Sequence, residues 1–396
     1  GYQELLKEQT SEWQYTFDET YSGSQTQTSL DFNIAGWNNS YDGKPIPPEE
    51  MRQWLDNTLE RINALAPQRV LEIGCGTGMI LFNIAPQVES YWATDFSEAA
   101  IKRLESVSDA KLLHREAIDF SEIPESYFDT IIINSVAQYF PDLEYFQQVI
   151  AGGLNALVPG GSLFIGDNRN LTLLDAFHAS VALFQSDEET DKETFSALME
   201  QIADKENELV LNPSFFVNLT EIFDDLETVE IHLKAETSDN ELTKYRYDVI
   251  LHKKGGENGE YIEPVWVNWQ SEMQLEDLRQ SLSSKLEIPI GYYGIPNARL
   301  IQDEAVLQWL QDETPSTTRE ILPVNVQSAI NPSELYALAR ETGCQAIISY
   351  SPDRGTIYFD VCFYPNRGKT KQRPIMPIVK QKTDSKVTQS YSINPL

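Results

Sequence analysis

Two spacings of apolar residues alternate along this chain, and each switch between them marks an element. From about residue 68 to 167, short apolar runs alternate with stretches whose apolar positions recur every three or four residues. The runs RVLEIG, SYWATD, AKLLHRE, FDTIIINSV and SLFIGD predict five strands, and TGMILFNIA, SEAAIKRLES and DLEYFQQVIAGGLNAL predict helices between them. FDTIIINSV is β-branched and apolar enough to lie at the centre of a sheet. Strand–helix repetition of this kind implies right-handed crossovers and a parallel sheet covered on both faces.

Ahead of this block, residues 1 to about 30 predict helix that loosens into the polar YSGSQTQTS, followed by an ordered loop, DFNIAGWNNSYDGKPIPPEEM. Pro47, Pro48, Glu49 and Glu50 suit the first turn of a helix, and Met51, Trp54, Leu55, Leu59 and Ile62 follow at helical spacing. Behind the block, residues 171 to about 222 predict mostly helix, rich in acids, and ETVEIHLK and YRYDVILH add two strands. HKKGGENGE marks a boundary. A second, smaller α/β pattern then runs from about 260 to 365, and its last two strands, CQAIISYS and TIYFDVCF, flank a Pro-Asp-Arg-Gly loop. Residues 361–396 carry seven Lys/Arg and one Asp among Pro, Thr and Ser, the composition of a linker. The expected division is a helical lid and substrate loop at 1–60, a core at 61–255 with an insertion at about 171–222, a small α/β subdomain at 256–365, and a linker-like tail at 366–396.

Charge narrows the function classes. Thirty Lys+Arg against 61 Asp+Glu give a net charge of −31. Non-specific grip on a nucleic acid requires cations that displace counterions, and an anionic membrane surface requires the same. Neither partner is expected. Three cysteines, Cys75, Cys344 and Cys362, make no disulfide framework, and with four histidines no Cys/His metal centre is expected. The opening GYQELLKEQTSEWQ lacks the pattern of a secretory leader, and no apolar stretch approaches the roughly 20 residues a membrane helix needs. The expectation is a cytoplasmic protein in a reducing compartment.

The chemistry concentrates where the first predicted strand turns into the first helix, at Glu72-Ile73-Gly74-Cys75-Gly76-Thr77-Gly78. Glycines there permit a tight turn and let the backbone approach a ligand. The GxGxG pattern alone also fits a dinucleotide fold or a plain turn. Glu72 decides against a pyrophosphate, which would not tolerate a carboxylate, and for a cationic ligand. Asp95 ends the second strand about 20 residues on, where a carboxylate accepts both hydroxyls of a ribose. Glu116, Ala117 and Ile118 follow the third strand, at a position suited to an adenine edge, and Asn134 ends the fourth.

These residues, together with FNIAGWNNSYDGKPIP, VLEIGCGTG, ATDFS, NSVAQYFP, VPGGSLFIGDNRN, LLDAFHAS, NELTKYRYDV and IPNARL, resemble the class I S-adenosylmethionine-dependent methyltransferases. The resemblance is closest to methyltransferase domains of modular polyketide synthases and nonribosomal peptide synthetases, and it spans about residues 30 to 300. It implies a Rossmann-like α/β fold with a mostly parallel sheet, S-adenosylmethionine as cofactor and S-adenosylhomocysteine as product. It also implies a carrier protein bearing a phosphopantetheine-linked substrate, with neighbouring synthase domains as partners. Within it, Glu72, Gly74, Gly76 and Gly78 match the cofactor loop, Asp95 the ribose ligand, and Glu116 to Ile118 the adenine edge.

Methyl transfer needs an aligned nucleophile, and a hydroxyl acceptor also needs a base. His178, after the fifth strand, and Glu241, before the last strand of the core sheet, are candidates for a His–acid pair over the carboxyl edge near Asn134. Trp37, Tyr41, Gln138 and Tyr139 are candidate walls of the acceptor pocket, whereas Trp54 and Phe140 suit the core. Asp167 and Arg169 either line its entrance or form an ion pair. His114, His232 and His252 suit structural roles. Asp42 in SYDG and the segment GDNRNLTLL depart from the usual amine-directed pattern, and with the His–Glu pair they favour O-methylation of a β-hydroxyl or enol. YSINPL is similar to the point at which such a domain rejoins an adenylation domain, which favours N-methylation of an aminoacyl group. The expectation is O-methylation with the His178–Glu241 pair as base, with N-methylation the alternative; carbon methylation ranks third, and a non-catalytic scaffold is the alternative outside the enzyme class.

Overall fold

The computed structural model describes residues 29–255, 261–282, 286–321, 328–351, 355–365, 373–374, 376 and 391–393. The helix expected before residue 29, most of the hairpin loop at 352–355 and nearly all of the tail at 366–396 lie outside them.

The five expected strands form, as β1 (Arg69–Ile73), β2 (Ser90–Asp95), β3 (Lys111–His114), β4 (Phe128–Asn134) and β5 (Leu157–Arg169). They join β7 (Leu226–Leu233) and β8 (Arg246–Lys253) in a seven-stranded sheet of order β3-β2-β1-β4-β5-β8-β7. β1 to β5 pair in parallel, and β8 runs antiparallel between β5 and β7. This is a mostly parallel α/β sheet in which the order of strand addition reverses between β1 and β4. The crevice outside the carboxyl ends at such a reversal is where open sheets bind ligands.

Alternate residues of each strand feed opposite cores, because side chains in a strand alternate faces. Leu71, Ile131, Ile133, Leu163 and Val249 pack under α4 (Leu143–Ala156) and α7 (Pro213–Ile222). Val70, Ile132, Phe164 and Ile250 pack under α1 (Pro48–Asn63), α2 (Met79–Ile84) and α3 (Glu98–Glu105). Pro48 occupies the first turn of α1 with Glu49 and Glu50 beside it, and Met51, Trp54, Leu55 and Ile62 form its buried stripe. Side-chain caps at Ser97 and Asp142 fix where α3 and α4 begin.

The insertion after β5 holds α5 (Leu174–Gln185) and α6 (Lys192–Ala203). β6 (Val210–Leu211) leads into α7, and α8 (Glu241–Tyr245) into β8. Past the boundary, β9 (Tyr261–Ile262), β10 (Val265–Asn268), α9 (Leu275–Leu282), β11 (Ile290–Pro296), α10 (Ile301–Gln311), α11 (Pro332–Thr342), β12 (Cys344–Tyr350) and β13 (Tyr358–Pro365) follow. Four of these strands form a second sheet of order β10-β11-β13-β12.

The small α/β region is not walled off as its pattern suggests. Leu233 of β7 joins its core, and Val306 and Trp309 of α10 pack instead against Ala179, Ala182 and Phe195 of the insertion. Arg299, in the segment PNARL, is buried and donates to the carbonyls of Lys234, Glu236 and Thr243. Two short pairs, β14 (Arg373–Pro374) with β9 and β15 (Ser392–Ile393) with β6, tie the last described residues back onto the body.

Candidate active site

A cavity of about 670 Å³ opens over the carboxyl ends of β1, β2, β4 and β5. At one end lies the glycine loop. Gly74, Gly76 and Gly78 have φ of 78°, 50° and 85°, in the left-handed region that favours glycine. A Cβ on Gly74 would come within 2.4 Å of the Val136 side chain. The amides of Gly74 and Cys75 donate to the Thr94 carbonyl, and that of Gly76 to Asp95 Oδ2. The glycines thus let the loop fold onto β2 and Asp95. Gly78 lies outside the cavity wall and starts α2.

Glu72 lines the cavity from within the sheet and accepts the Tyr91 hydroxyl at 2.7 Å. Burial pushes its carboxyl up to about 8; the Tyr91 hydrogen bond works against that rise and Asp95 adds to it. A carboxyl held so close to neutrality gains from a cationic neighbour. Asp95 Oδ2 accepts from Gly76 N–H and its Oδ1 from Ser97 N–H, which fixes the carboxylate at the cavity wall. Glu116 and Ala117 line the same end beside Tyr145, whereas Ile118 points away and packs against the core. Asn134 Oδ1 and Gln138 Oε1 are buried at the cavity with no hydrogen-bond partner. Orphaned acceptors of this kind are costly unless a ligand donates to them. Acidic, acceptor-rich and partly unsatisfied, this end fits a cationic ligand with amine and hydroxyl donors.

The other end differs from the sequence expectation in its pairings. His178 and Glu241 both line the cavity, but they do not pair. Asn240 caps α8 and turns Glu241 towards the 36–42 loop, where its oxygens accept from Ser40 N at 2.8 Å and Ser40 Oγ at 2.9 Å. The carboxylate facing His178 is Glu206, 3.7 Å from Nε2. Arg169 grips Glu206 with two bonds of 2.6 Å and reaches Glu208 at 2.9 Å. Burial would raise the Glu206 carboxyl, but His178 and Arg169 outweigh it and hold the group down at about 2.

Asp167 and Arg169 do not pair with each other either. Two residues apart they would share a face of a regular strand, but the pairing of β5 with β8 shifts register between Ile165 and Asn168, where Asp167 takes a left-handed backbone. Arg169 lines the cavity, while Asp167, at φ 67°, is fully buried beneath it. Asp167 accepts from Ser135 Oγ at 2.8 Å, Arg246 Nη1 at 2.7 Å and Trp54 Nε1 at 3.3 Å, with Lys234 Nζ at 3.2 Å. Asp248 holds Lys234 at 2.8 Å and Arg61 at 3.3 Å, which closes a buried ionic network. Trp37, Gln138 and Tyr139 line the cavity, and Trp37 leans on Trp54 at 4.7 Å. Trp54 and Phe140 are core residues that also reach the wall. Tyr41 is turned outwards instead, onto Ser180 and the Phe184 ring.

His232 and His252 share Glu230 at 3.0 Å each, and His114 contacts the Phe96 carbonyl; none lines the cavity. The site residues the pattern did not single out are Glu206, Glu208, Lys205, Tyr245 and Arg246. The one available signal was Arg169, a cation at a strand end that needs an acid. Nothing local in ADKENELV says which acid answers it.

Residues 71–163, from β1 to β5, match the family described as methyltransferase domain. The chain carries an S-adenosylmethionine-dependent methyltransferase domain. The curated relatives reach well beyond this methyltransferase segment. Chondramide synthase cmdD of Chondromyces crocatus is 38% identical over 97% of this chain, and nonribosomal peptide synthetase agiA of Aspergillus flavus is 33% identical over 90%. Beauvericin nonribosomal cyclodepsipeptide synthetase BEA1 of Gibberella fujikuroi is 30% identical over 86%. The methyltransferase chain spans only 10%, 5% and 12% of those three proteins. Among solved structures, N-methyltransferase NodS of Bradyrhizobium japonicum, in complex with S-adenosyl-L-homocysteine, aligns with 61% of this chain and 98% of its own. The identity is 17% and the TM-score 0.36. No helix among the described residues is long and apolar enough to cross a membrane.

Proposed function

We propose that this methyltransferase methylates the amine of an aminoacyl group held on a carrier protein, within a nonribosomal peptide synthetase. The observation that carries the reading is Glu241, a carboxylate with no ion pair among the described residues, which lines the acceptor end of the cavity together with His178 and Glu206. S-adenosylmethionine supplies an electrophilic methyl group on a sulfonium and leaves as S-adenosylhomocysteine. Glu72, Asp95, Glu116, Ala117, Asn134 and Gln138 would hold it.

An amine acceptor must first lose its ammonium proton. An α-ammonium is acidic enough for a neutral imidazole to accept its proton directly. A hydroxyl is a far weaker acid and demands a stronger base. With Nε2 of His178 towards Glu206, Nδ1 remains for the acceptor's proton, and the carboxylate stabilises the resulting imidazolium. Arg169 offsets Glu206 and Glu208, but Glu241 makes no ion pair among the described residues and leaves this end a negative charge that favours a cationic amine. The relatives named as nonribosomal peptide synthetases support an aminoacyl substrate.

Oxygen is the second reading, favoured by the imidazole–carboxylate arrangement itself. Intact-mass analysis separates the two. Carriers loaded with an aminoacyl or a β-hydroxyacyl group are incubated with the protein and S-adenosylmethionine. A mass gain of one methyl on the aminoacyl carrier, lost in His178→Ala, is the expected result; a gain on the hydroxyacyl carrier alone reverses the assignment.

A further inference from the structure

The mouth of the acceptor end is rimmed by Gly36, Asn38, Ser40, Gln185, Lys205 and Asn207, the exposed members of the wall apart from Glu116 at the opposite end. Four cations line the cavity, and three are neutralised: Arg115 by Asp119 and Glu122, Arg169 by Glu206 and Glu208, Arg246 by Asp167. Lys205 alone makes no ion pair among the described residues. This is unusual for a lysine between Asp204 and Glu206 in a chain of net charge −31. The reason is geometric. Both oxygens of Glu206 are turned inwards onto Arg169, so its neighbour Lys205 is left facing out at the mouth.

The nearby carboxylates of Glu206 and Glu208 are taken up by Arg169, and the rest of the rim around Lys205 is amide-rich and apolar. Asn207 stands two residues on. Across the mouth, Gln185 donates its amide to the Tyr41 carbonyl at 3.1 Å, which leaves its oxygen for another donor. Phe184 beside it is 59% exposed, its ring set against Tyr41. A lone cation, two side-chain amides and an exposed ring at one entrance match a ligand with a terminal phosphate, internal amides and an aliphatic stem.

We propose that this rim is the seat of a phosphorylated pantetheine tether, with Lys205 binding its phosphate while the thioester-linked acceptor reaches inwards to His178. The proposal rests on the carrier-bound acceptor argued above and deepens it: the phosphate is recognised by this domain, at the mouth, independently of the carrier's own surface.

The test uses one aminoacyl group as three thioesters, on a carrier protein, on coenzyme A and on unphosphorylated pantetheine. Titration of each variant with S-adenosylmethionine checks that it is folded. Lys205→Ala is expected to raise KM for the two phosphorylated acceptors about fivefold relative to the unphosphorylated one, the scale of one exposed charge-assisted contact, and Lys205→Glu more than tenfold. An equal change for all three, or none, overturns the proposal. A change confined to the carrier assigns Lys205 to the carrier's surface and also overturns it. Should the protein methylate none of them, the acceptor reading fails, and calorimetry with 4′-phosphopantetheine and with pantetheine decides the tether on its own. Preferential binding of the phosphorylated molecule by the wild type, abolished in Lys205→Glu, supports the seat; equal binding refutes it.

Discussion

Asp167→Asn is the substitution most informative about how this methyltransferase holds its pocket floor. Asparagine keeps the size of the side chain and tolerates the positive φ of 67°, so the change isolates the charge. The carboxylate now faces Arg246, Lys234, the Ser135 hydroxyl and the Trp54 indole, all of them donors. An amide must turn its own donor towards two of these. Removing one member of a buried ion pair costs about 3–5 kcal/mol. The lower end applies here because Lys234 keeps Asp248 at 2.8 Å. For a folding unit of 150–250 residues, about 3 kcal/mol lowers Tm by about 6–12 °C.

The pH dependence follows from the direction of the shift. Burial opposes ionisation of Asp167, but Arg246 and Lys234 outweigh it and hold the carboxyl well below the usual range. A depressed acid contributes stability above its unfolded pKa of about 3.9 and loses it as pH falls towards the folded value. The difference between wild type and variant is therefore constant from pH 5 to 8 and shrinks only below about pH 4. Thermal unfolding followed by circular dichroism and tryptophan fluorescence measures both. A Tm shift under about 2 °C, or a difference that disappears by pH 5, would refute the reasoning. Lys234→Met gives a cross-check: the double variant should cost less than the sum of the two singles, because both disrupt one network.

Three further outcomes are expected. Glu206→Gln should lower kcat about 10- to 100-fold while S-adenosylmethionine affinity stays within about twofold, since the carboxylate supports His178 at the acceptor end; single-turnover kinetics and a cofactor titration read the two. Burial of Asp303 raises its carboxyl to about 6, so its ionisation costs stability as pH rises from about 4 to 6. Asp303→Asn should abolish that decline, up to about 3 kcal/mol, in urea midpoints measured across the interval. Gly74→Ala should destabilise by about 1–3 kcal/mol, and Val136→Ala in the same chain should recover part of the loss by giving room to the new Cβ, as judged by Tm.

The central sheet could be read from the chain because its strands are continuous apolar runs, which need no partner to be recognised. The cofactor end was readable for the same local reason: Glu72, the glycines and Asp95 lie at fixed spacings around two strand–turn junctions. β11 escaped notice because IGYYGIP carries two glycines and a proline. A Cβ on Gly291 would meet the Trp266 ring at 2.3 Å, so that glycine marks close packing inside a strand rather than a loop. The acceptor end was the hardest to read. Which acid faces His178 is settled by Arg169 reaching 37 residues along the chain, and the local surroundings of Glu206 are those of an ordinary solvated acid. Tyr41 and Ile118 were placed in the right loops but point away from the cavity, a matter of side-chain direction that spacing does not encode.

Arg299 sets how the two sheets of this methyltransferase come apart. Its guanidinium donates to three main-chain carbonyls, those of Lys234, Glu236 and Thr243, on the chain that runs from β7 to β8. Backbone carbonyls have no counter-charge for dissolved ions to screen, so this clasp is expected to keep its grip in concentrated salt, where exposed ion pairs fade. The four-stranded sheet and the methyltransferase core are thereby joined by a fastening that does not loosen by degrees. Denaturation in high salt should then proceed as one cooperative event, not as the early release of the C-terminal sheet.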